Sequence, residues 1–401
     1  MRGGIQTDVV IAGAGIAGLS LAIGLARRGV SSHVLEASPA PSNTEEIHGQ
    51  EVADWDRRVS ALTPTSAHWL DDLGVWPRMR QQRVGPYQRM AVWDGAGTGH
   101  IEFSAQELDV PVLGHIVENR VTTGALLEEA RCHRQVTLNW GQPITAVQVE
   151  GDGGVRVSTA GDTAFTAQLL VGADGARSLT RDLAQFETRA WSYHQHAIVA
   201  TVRLAQGHDG TCYQAFLQSG PLALLPLASA DLCSIVWSVD DDQWQALMDL
   251  SAGDFVAALN RALQGSGIAV AEVSARAIFP LRQCHATDYI REGVALVADA
   301  AHSIHPLAGQ GINLGLKDVA ELTRVLGDAW IAGEPLGSTA VLSRYQRVRK
   351  GDNLLMMAAM EAFKRGFGSR QPLLRVARNL GLSWTDSLAP LKHWLARQAL
   401  A

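Results

Sequence analysis

Three glycines and one acidic residue near the N-terminus have the spacing of a dinucleotide-binding turn. Gly13, Gly15 and Gly18 follow an apolar run over residues 9–12, and Glu36 stands 18 residues beyond the third glycine. Gly13 allows a tight turn, Gly15 leaves room for a pyrophosphate, and Gly18 lets a helix pack closely on the strand. The helix N-terminus offers free N–H groups to phosphate, and Glu36 can accept hydrogen bonds from ribose hydroxyls. The segment therefore predicts a dinucleotide-binding βαβ unit.

Two later segments combine a buried-strand pattern with glycines and an acid. One follows an apolar run over residues 169–171 and reads Gly172-Ala173-Asp174-Gly175-Ala176-Arg177-Ser178. The other reads Ala298-Asp299-Ala300-Ala301-His302, then His305-Pro306-Leu307-Ala308-Gly309-Gln310-Gly311-Ile312-Asn313. His302 and His305 lie three residues apart, but no third ligand is near in the sequence, so we expect no metal site. A GxSxG nucleophile elbow is also absent, which gives serine hydrolysis no support.

Capping residues and hydrophobic periodicity predict the elements that position these residues. Helices are expected over residues 17–28, 64–73, 120–131, 255–263, 310–332 and 339–363. Alternating valines predict a hairpin that joins 147–149 to 155–157 through the glycine-rich turn 151–154. Buried strands are expected over residues 169–171, 198–202, 222–227, 233–239 and 294–298.

This order of elements predicts an α/β protein. We expect a Rossmann-like cofactor domain, an inserted mixed and largely antiparallel substrate domain, and a helical C-terminus. The cofactor domain is assigned to residues 1–75, 113–182 and 277–338. Residues 76–112 are assigned to the substrate domain or to a connecting segment, residues 183–276 to the substrate domain, and residues 339–401 to the helical C-terminal region.

Composition excludes several other classes of protein. The 401 residues are 47% hydrophobic and 18% charged, with a net charge of −6, so a basic nucleic-acid footprint is not indicated. The cysteines are widely spaced without a CxxC motif, so we expect reduced, mostly packed thiols rather than disulfides or zinc. No apolar run is long enough for a membrane span, and the first strand leaves no room for a signal peptide. We therefore expect a cytoplasmic protein.

Several separated motifs, in this order, resemble the aromatic-ring flavoprotein monooxygenases of the para-hydroxybenzoate hydroxylase superfamily. Within it the chain is similar to the ubiquinone-biosynthesis hydroxylases, and the resemblance spans almost the whole chain. Besides the segments quoted above, it rests on Asp56-Arg57-Arg58-Val59-Ser60-Ala61-Leu62, Gly220-Pro221-Leu222-Ala223-Leu224-Leu225-Pro226-Leu227 and Arg378-Asn379-Leu380-Gly381-Leu382. One departure is Ala298, where the family usually has glycine before the aspartate. We expect this alanine to be tolerated with a slight shift of the flavin.

The resemblance implies FAD as cofactor and NAD(P)H as co-substrate. It implies that the carboxylate of Asp299 holds the ribityl hydroxyls of the flavin, and that the helix after Gly309 and Gly311 directs its N-terminus at the pyrimidine end of the ring. Asp174 is expected near the FAD and the route of the nicotinamide. The remaining FAD-binding residues implied are Arg58, Arg120, Pro306, Ile312 and Asn313.

The activity implied is hydroxylation of the ring of a polyprenylated phenol in ubiquinone biosynthesis, with O₂ and a flavin hydroperoxide as oxidant. The expected apolar wall of the substrate site consists of Leu222, Leu224, Leu225 and Leu227, with Phe216 and Trp237 nearby. His194 and His196 alternate at strand spacing, so one face could accept a phenol proton, although a half-exposed strand start is the better explanation of the pattern.

The sequence leaves two rival functions, contact with other enzymes and a position on the membrane open. One rival is a flavin hydroxylase of a small phenol or secondary metabolite, and another is a non-catalytic, FAD-stabilised scaffold of a biosynthetic complex. The resemblance also leaves open contact with other ubiquinone-biosynthesis enzymes and a peripheral position on the inner membrane. A plain NAD-dependent dehydrogenase is disfavoured, because the segment from Asp299 to Asn313 would have no purpose in it.

Overall fold

A computed structural model describes residues 4–41, 49–95, 97, 99–151, 153–161, 163–303 and 310–368 of the chain. Within these ranges the strands form four sheets, and both helices and strands Val155–Thr159 and Ala164–Ala167 of a smaller sheet pack against the mainly parallel one. The α/β class is therefore confirmed, with a separate and largely antiparallel sheet beside the parallel one.

The mainly parallel sheet carries the first glycine-rich turn. Its neighbours pair in parallel apart from one antiparallel pair at the edge. The described strands in spatial order are Ile290–Arg291, Val294–Leu296, Leu169–Gly172, Val9–Ala12, Ser32–Glu36 and Val136–Trp140. The inner strands are continuous apolar runs because other elements, helices and strands of a smaller sheet, bury them.

The larger sheet corresponds to the predicted substrate domain. It is antiparallel except where Thr211–Leu217 pairs with Arg89–Asp94, and Val270–Val273 joins it beside Thr188–Leu204. The other described strands in spatial order are His302–Ser303, Ala277–Ala286, Thr188–Leu204, Leu232–Asp240, Gly220–Pro226, Thr211–Leu217, Arg89–Asp94 and His100–Ser104. Helix Ala252–Ala262 covers one face of this sheet.

Two small sheets complete the described strands. One contains Ile5–Gln6, Ala164–Ala167, Val155–Thr159 and Ile144–Val149, and the other contains Val59–Leu62, Gly114–Glu118 and Val84–Tyr87. The predicted hairpin is confirmed, with Val147 opposite Val157 and Val149 opposite Val155. Asp152, in its turn, lies outside the described residues.

The predicted helices are confirmed within a few residues of their expected ends. The described helices are Ile16–Ala26, Pro64–Asp72, Trp76–Arg80, Asn119–Cys132, Leu179–Leu183, Trp244–Met248, Ala252–Ala262, Gln310–Ala332 and Thr339–Gly368, with 3₁₀ turns at Val52–Asp54 and Ala298–Ala300. Among the helices of the described ranges, none combines the length and apolar character needed to cross a bilayer. The four cysteines are free, as expected, and burial raises the pKa of the Cys212 thiol to about 12.

The sequence-based boundary at residue 276 needs correction. Strand Ala277–Ala286 pairs antiparallel with Thr188–Leu204, so it belongs to the larger sheet rather than to the cofactor domain. Its partner lies about 80 residues earlier in the chain, and local periodicity carries no information about such pairing. The other domain boundaries stay predictions. Residues 369–401, including the Arg378–Leu382 motif, lie outside the described residues.

Candidate functional site

The candidate site lies where the carboxyl ends of the parallel strands meet. Ala12 pairs with Leu35 on one side and Gly172 on the other, and Gly172 pairs in turn with Leu296. Carboxyl ends of neighbouring parallel strands share one edge of a sheet, which is where such folds bind ligands. Segments far apart in the sequence therefore bring Gly13, Asp174 and Asp299 to the same edge.

The three glycines of the first turn serve two different purposes. Gly13 has φ +100°, and a Cβ there would lie 2.6 Å from the carbonyl oxygen of Ala173. A Cβ on Gly18 would lie 1.9 Å from the carbonyl oxygen of Gly13. A Cβ on Gly15, by contrast, would meet nothing within 4 Å. The fold itself therefore needs Gly13 and Gly18, whereas the open space at Gly15 fits an approaching pyrophosphate.

A second open space lies at the start of helix Gln310–Ala332. A Cβ on Gly311 would also meet nothing within 4 Å. The first four N–H groups of a helix lack intrahelical acceptors and form the positive end of its dipole. The open space at Gly311 therefore lies at the positive end of this helix, and FAD contacts by Gly311 and Ile312 stay predictions.

The side chain of Asn313 is engaged within the protein. Its Oδ1 accepts hydrogen bonds from the backbone N–H of Thr63 at 3.0 Å and from Ser66 Oγ at 2.7 Å. Its Nδ2 donates to the carbonyl of Ala61 at 2.8 Å. The amide therefore fastens the start of the long helix to strand Val59–Leu62 and to the cap of helix Pro64–Asp72. A contact between Asn313 and FAD stays a prediction.

Glu36 closes the first glycine turn while keeping acceptor capacity. Its Oε2 accepts from the backbone N–H of Ala14 at 2.9 Å, and its Oε1 accepts from that of Ser38 at 2.9 Å. A carboxylate has about four acceptor positions, so roughly two stay available to ribose hydroxyls. The geometry fits the predicted role of Glu36 in binding FAD, which stays a prediction.

Asp299 stands on a 3₁₀ turn at the mouth of the sheet. Desolvation by the surrounding protein raises the pKa of its carboxyl group, although attraction to His302 and Arg58 opposes that rise. The residue nevertheless remains exposed. A carboxylate that is surrounded by protein and yet accessible lies in a cleft, as a ligand for ribityl hydroxyls must.

Ala298, where the resemblance implies glycine, has a backbone conformation that favours glycine. Ala298 has φ +52°, in the left-handed region, which costs an alanine roughly 1–2 kcal/mol. A Cβ on Gly315 of the neighbouring helix would lie only 2.7 Å from the Cβ of Ala298. The glycine at 315 thus makes room for the methyl group at 298.

The two predicted arginines differ in their surroundings. The guanidinium of Arg58 lies 6.0 Å from the ring centre of Phe279, and Arg58 is exposed. Arg120 donates to Glu118 Oε1 from Nη2 at 2.7 Å and from Nε at 3.0 Å, and also to the carbonyl of Asp54. Glu118 is 1% exposed. Arg120 is therefore held in place by a buried carboxylate, and FAD contacts by either arginine stay predictions.

Asp174 has a structural role in its own loop. Its Oδ1 accepts from Ser178 Oγ at 2.5 Å, and its Oδ2 accepts from the backbone N–H of Thr180 at 2.9 Å. The carboxylate thus fixes the start of helix Leu179–Leu183. Its proximity to FAD stays a prediction, while Pro306 and Gly309 lie outside the described residues.

The predicted apolar wall is wrong in part. Leu222, Leu224 and Trp237 pack on the sheet face that helix Ala252–Ala262 covers. Leu225 and Leu227 pack on the opposite face, in a cluster with Trp55. Successive side chains of a strand alternate between faces, so these leucines cannot line one pocket together. Phe216 belongs to a third cluster, with Val92 and Ile101.

His194 and His196 are not brought to the candidate site. The ring centre of His196 lies 5.1 Å from that of Trp244, on the face that packs against helix Trp244–Met248. Its Nδ1 lies 2.9 Å from Asp241 Oδ1, and the side chain of His194 is 83% exposed beside the same carboxylate. The part of the chain that the structure describes also contains no group of three potential metal ligands.

Sequence reasoning missed three residues at this site. Glu118 fixes Arg120 and also accepts from the backbone N–H of Asp56 at 2.6 Å. Phe279 is an aromatic side chain, 40% exposed, beside Arg58. Asp318 is a fully buried acid on the long helix. Its position on the apolar stripe, four residues from both Leu314 and Leu322, was the signal that could have revealed it.

Known proteins match this chain over nearly its whole length. A family model described as FAD binding domain matches residues 6–351. The 3-demethoxyubiquinol 3-hydroxylase of Escherichia coli K12 is 37% identical over 397 residues, which cover 98% of each chain. The ubiquinone hydroxylase UbiL of Rhodospirillum rubrum is 35% identical over 393 residues, covering 98% of this chain and 89% of that protein.

Solved structures share the fold. PqsL, a probable FAD-dependent monooxygenase from Pseudomonas aeruginosa, has a TM-score of 0.78 at 21% identity and covers 95% of this chain and 100% of that one. HpxO of Klebsiella pneumoniae, solved with FAD and uric acid, has a TM-score of 0.73 at 18% identity. The match covers 99% of this chain and 98% of that one. Both similarities support the arrangement of a nucleotide-binding sheet beside a large antiparallel one.

Proposed function

This chain belongs to the family of FAD-dependent ubiquinone-biosynthesis hydroxylases, and on that premise we propose that its substrate is a polyprenylated phenol, hydroxylated on the aromatic ring. The protein is an FAD-dependent monooxygenase that uses NAD(P)H and O₂. By their names, one relative hydroxylates 3-demethoxyubiquinol and the other is a ubiquinone hydroxylase. The detailed substrate and the residues that serve it are the parts that we propose.

One observation carries the assignment of the site. The open spaces at Gly15 and Gly311 lie at the ends of two helices, on the edge of the sheet that also carries Glu36 and Asp299. The fold needs no glycine at either open position, since a Cβ would meet nothing there. Two helix N-termini and two carboxylates suit the phosphates and the hydroxyls of FAD.

Each of these groups would hold one part of FAD. The turn around Gly15 would bind the pyrophosphate, Glu36 the ribose, and Asp299 the ribityl hydroxyls. The N–H groups of Gly311 and Ile312 would face the flavin ring, where the positive end of the helix favours negative charge. Arg58 adds a positive charge beside Asp299, and its attraction opposes the rise in the pKa of that carboxyl group that burial causes.

Bound FAD, once reduced by NAD(P)H, supplies the activation of O₂ for transfer of one oxygen atom to the ring. The chain itself binds and orients both partners and keeps water away from the reacting atoms. This division of work needs no side-chain nucleophile. It is consistent with the position of His194 and His196 away from the candidate site.

Phe279 is the residue that we propose for packing against the substrate ring. It is 40% exposed, and Arg58 lies over its ring, so it stands beside the proposed flavin site. Large exposed aromatic side chains in such positions commonly contact ligands. The apolar tail would continue along this face of the large sheet rather than along the leucines named from the sequence. We further propose peripheral contact with the membrane that holds such substrates, and contact with other enzymes of the pathway.

Affinity as a function of tail length tests the proposed substrate class. Burial of prenyl carbon is favourable by about 0.8 kcal/mol per CH₂, so affinity should rise steeply with the first isoprene units and then level off. The measurement is substrate-stimulated NAD(P)H oxidation with 4-hydroxybenzoate and a series of prenylated phenols. Equal affinity for the bare and prenylated phenols would favour a small-phenol hydroxylase.

A matched pair of variants tests the proposed wall. Phe279→Ala should weaken the affinity for a prenylated phenol. Trp330→Ala replaces a similarly exposed aromatic residue near the end of helix Gln310–Ala332 and should leave that affinity unchanged. An unchanged affinity of Phe279→Ala would remove this residue from the substrate site.

A further inference from the structure

Asp318 is a buried carboxylate whose acceptor positions are filled by four different residues. Its Oδ2 accepts from the backbone N–H of Ala298 at 3.1 Å and lies 2.5 Å from His302 Nε2. Its Oδ1 accepts from Arg349 Nε at 2.9 Å and from Asn353 Nδ2 at 3.0 Å. A carboxylate has about four acceptor positions, so none is left over. Asp318 therefore has one fixed orientation.

Arg349 and Asn353 hold Asp318 from the last described helix, Thr339–Gly368. Arg349 is 4% exposed and Asn353 is fully buried. Arg349 Nη2 also donates to Asn353 Oδ1 at 2.8 Å, and Nη1 donates to Asp352 at 2.9 Å. Although burial alone would raise it, the pKa of Asp318 is lowered, since His302, Arg349 and Asn353 favour the charged form. The carboxylate is thus kept ionised and rigid.

Such a buried charge cluster is a weak source of stability. Replacing a buried ion pair with apolar residues of similar volume is often neutral or stabilising, so stability does not explain why charge stands here. The position of the cluster supplies a better explanation. Of the four groups that Asp318 accepts from, one is the backbone N–H of Ala298, the residue directly before Asp299.

Ala298 needs this support because its backbone is strained. Its φ of +52° lies in the left-handed region, which disfavours alanine. The turn is closed by a hydrogen bond from the backbone N–H of Ala301 to the Ala298 carbonyl at 2.9 Å, and Asp318 holds the other side of the same residue. The direction in which Asp299 leaves the strand depends on this one conformation.

We propose that Arg349 and Asn353 act through Asp318 as positioning residues that hold the strained Ala298 turn, so that the Asp299 carboxylate is directed at FAD. This inference rests on the proposed role of Asp299 in binding FAD. It links a helix outside the FAD motifs to the cofactor, across a chain of hydrogen bonds between side chains that are all buried.

The first test compares two arginine variants of the same helix in the full chain. Arg349→Met removes the hydrogen bond to Asp318 and the one that holds Asn353, and it should raise the dissociation constant of FAD by about fivefold or more. Arg344→Met is the control, because Arg344 pairs with the half-buried Glu334 near the surface and touches no part of the cluster. It should leave FAD affinity unchanged. The measurement is quenching of FAD fluorescence on titration with apo-protein, with the melting temperature recorded for each variant.

The second test separates positioning from general packing. Glycine adopts positive φ without strain, so Ala298→Gly added to Arg349→Met should restore most of the lost FAD affinity. If the cluster only packed two helices together, both the melting temperature and the FAD affinity of the double variant would stay as low as in Arg349→Met. That result would overturn the proposal. If Arg349→Met does not fold, Asn353→Ala replaces it in both comparisons, with the same expected loss and rescue.

A parallel titration of Asp299→Ala separates the inference from its premise. If Asp299→Ala weakens FAD binding while folded Arg349→Met and Asn353→Ala bind FAD like the unaltered protein, the positioning role is wrong and the premise stands. If Asp299→Ala itself binds FAD with unchanged affinity, the role of Asp299 in the proposed function is wrong.

Discussion

Substitution of the three glycines of the first turn separates residues needed by the fold from one needed by the cofactor. Gly15→Ala places a methyl group in open space, since a Cβ at Gly15 meets nothing within 4 Å. Gly18→Ala places one 1.9 Å from the carbonyl oxygen of Gly13, where an ordinary contact needs roughly 3.5 Å. The two variants add the same atom three residues apart, so each serves as the control for the other.

The structure gives different magnitudes for the two changes. Gly15 has φ −79°, which alanine adopts freely. Alanine also gives the unfolded chain fewer conformations than glycine does, which raises the free energy of unfolding by about 0.4–1 kcal/mol. Gly15 is also a helix N-cap, a position where alanine is worse than glycine by a similar amount, so the free energy of unfolding should change by less than about 1 kcal/mol. Gly18→Ala forces backbone to move and should cost more than about 3 kcal/mol.

Gly15→Ala should bind FAD more weakly although its stability hardly changes. The methyl group of Gly15→Ala occupies the space proposed for the pyrophosphate. Moving the pyrophosphate away from it should cost about 1–3 kcal/mol of binding free energy, which would weaken FAD binding about 5- to 150-fold. Urea unfolding of the apo-protein and FAD titration of the same sample measure both quantities. A Gly15→Ala protein that is stable and binds FAD with unchanged affinity would refute the assignment of this space to the cofactor.

Three further outcomes follow from the same geometry. The purified protein should be yellow, and acid precipitation should release FAD into the supernatant; flavin left in the pellet would contradict a noncovalent cofactor. Asp299→Ala should fold and bind FAD more weakly by about 1–3 kcal/mol, because ribityl hydroxyls lose their acceptor; equal affinity in a flavin titration would remove Asp299 from the site. Burial, with support from nearby positive charge including Lys350, lowers the pKa of His285 to about 4, from 6.5. The unfolded chain therefore binds a proton that the folded chain does not, and stability should fall by about 1.4 kcal/mol per unit as the pH drops from 6.5 to 4. His285→Gln should flatten this part of the unfolding profile, and an unchanged slope would contradict the low pKa.

Local signals in the sequence predicted the elements and the cofactor edge of the sheet well. Gly29 and Gly74 follow the ends of two helices and have φ of +81° and +77°, the conformation that glycine supplies at such ends. The strand before Gly13 and the one before Asp299 are short apolar runs that end at the same edge. The spacing of the residues was enough to identify these two motifs, because all residues of each motif are close together in the sequence.

Properties that depend on pairing between distant segments could not be predicted in this way. Leu224 and Leu225 look equivalent in the sequence, yet one packs under helix Ala252–Ala262 and the other on the opposite face. Strand Ala277–Ala286 carries no local sign of its distant partner. Glu118 resembles a surface acid until the structure shows that it is buried beside Arg83 and Arg120.

The source of the new hydroxyl oxygen directly tests whether the protein transfers an atom of O₂ to a prenylated phenol. The measurement is turnover with ¹⁸O₂, reduced nicotinamide and a prenylated phenol, followed by mass spectrometry of the product. We expect one ¹⁸O atom in the new hydroxyl group and one NAD(P)H oxidised per hydroxylation. A product that takes its oxygen from water, or NAD(P)H oxidation that yields only peroxide with every phenol tried, would contradict it.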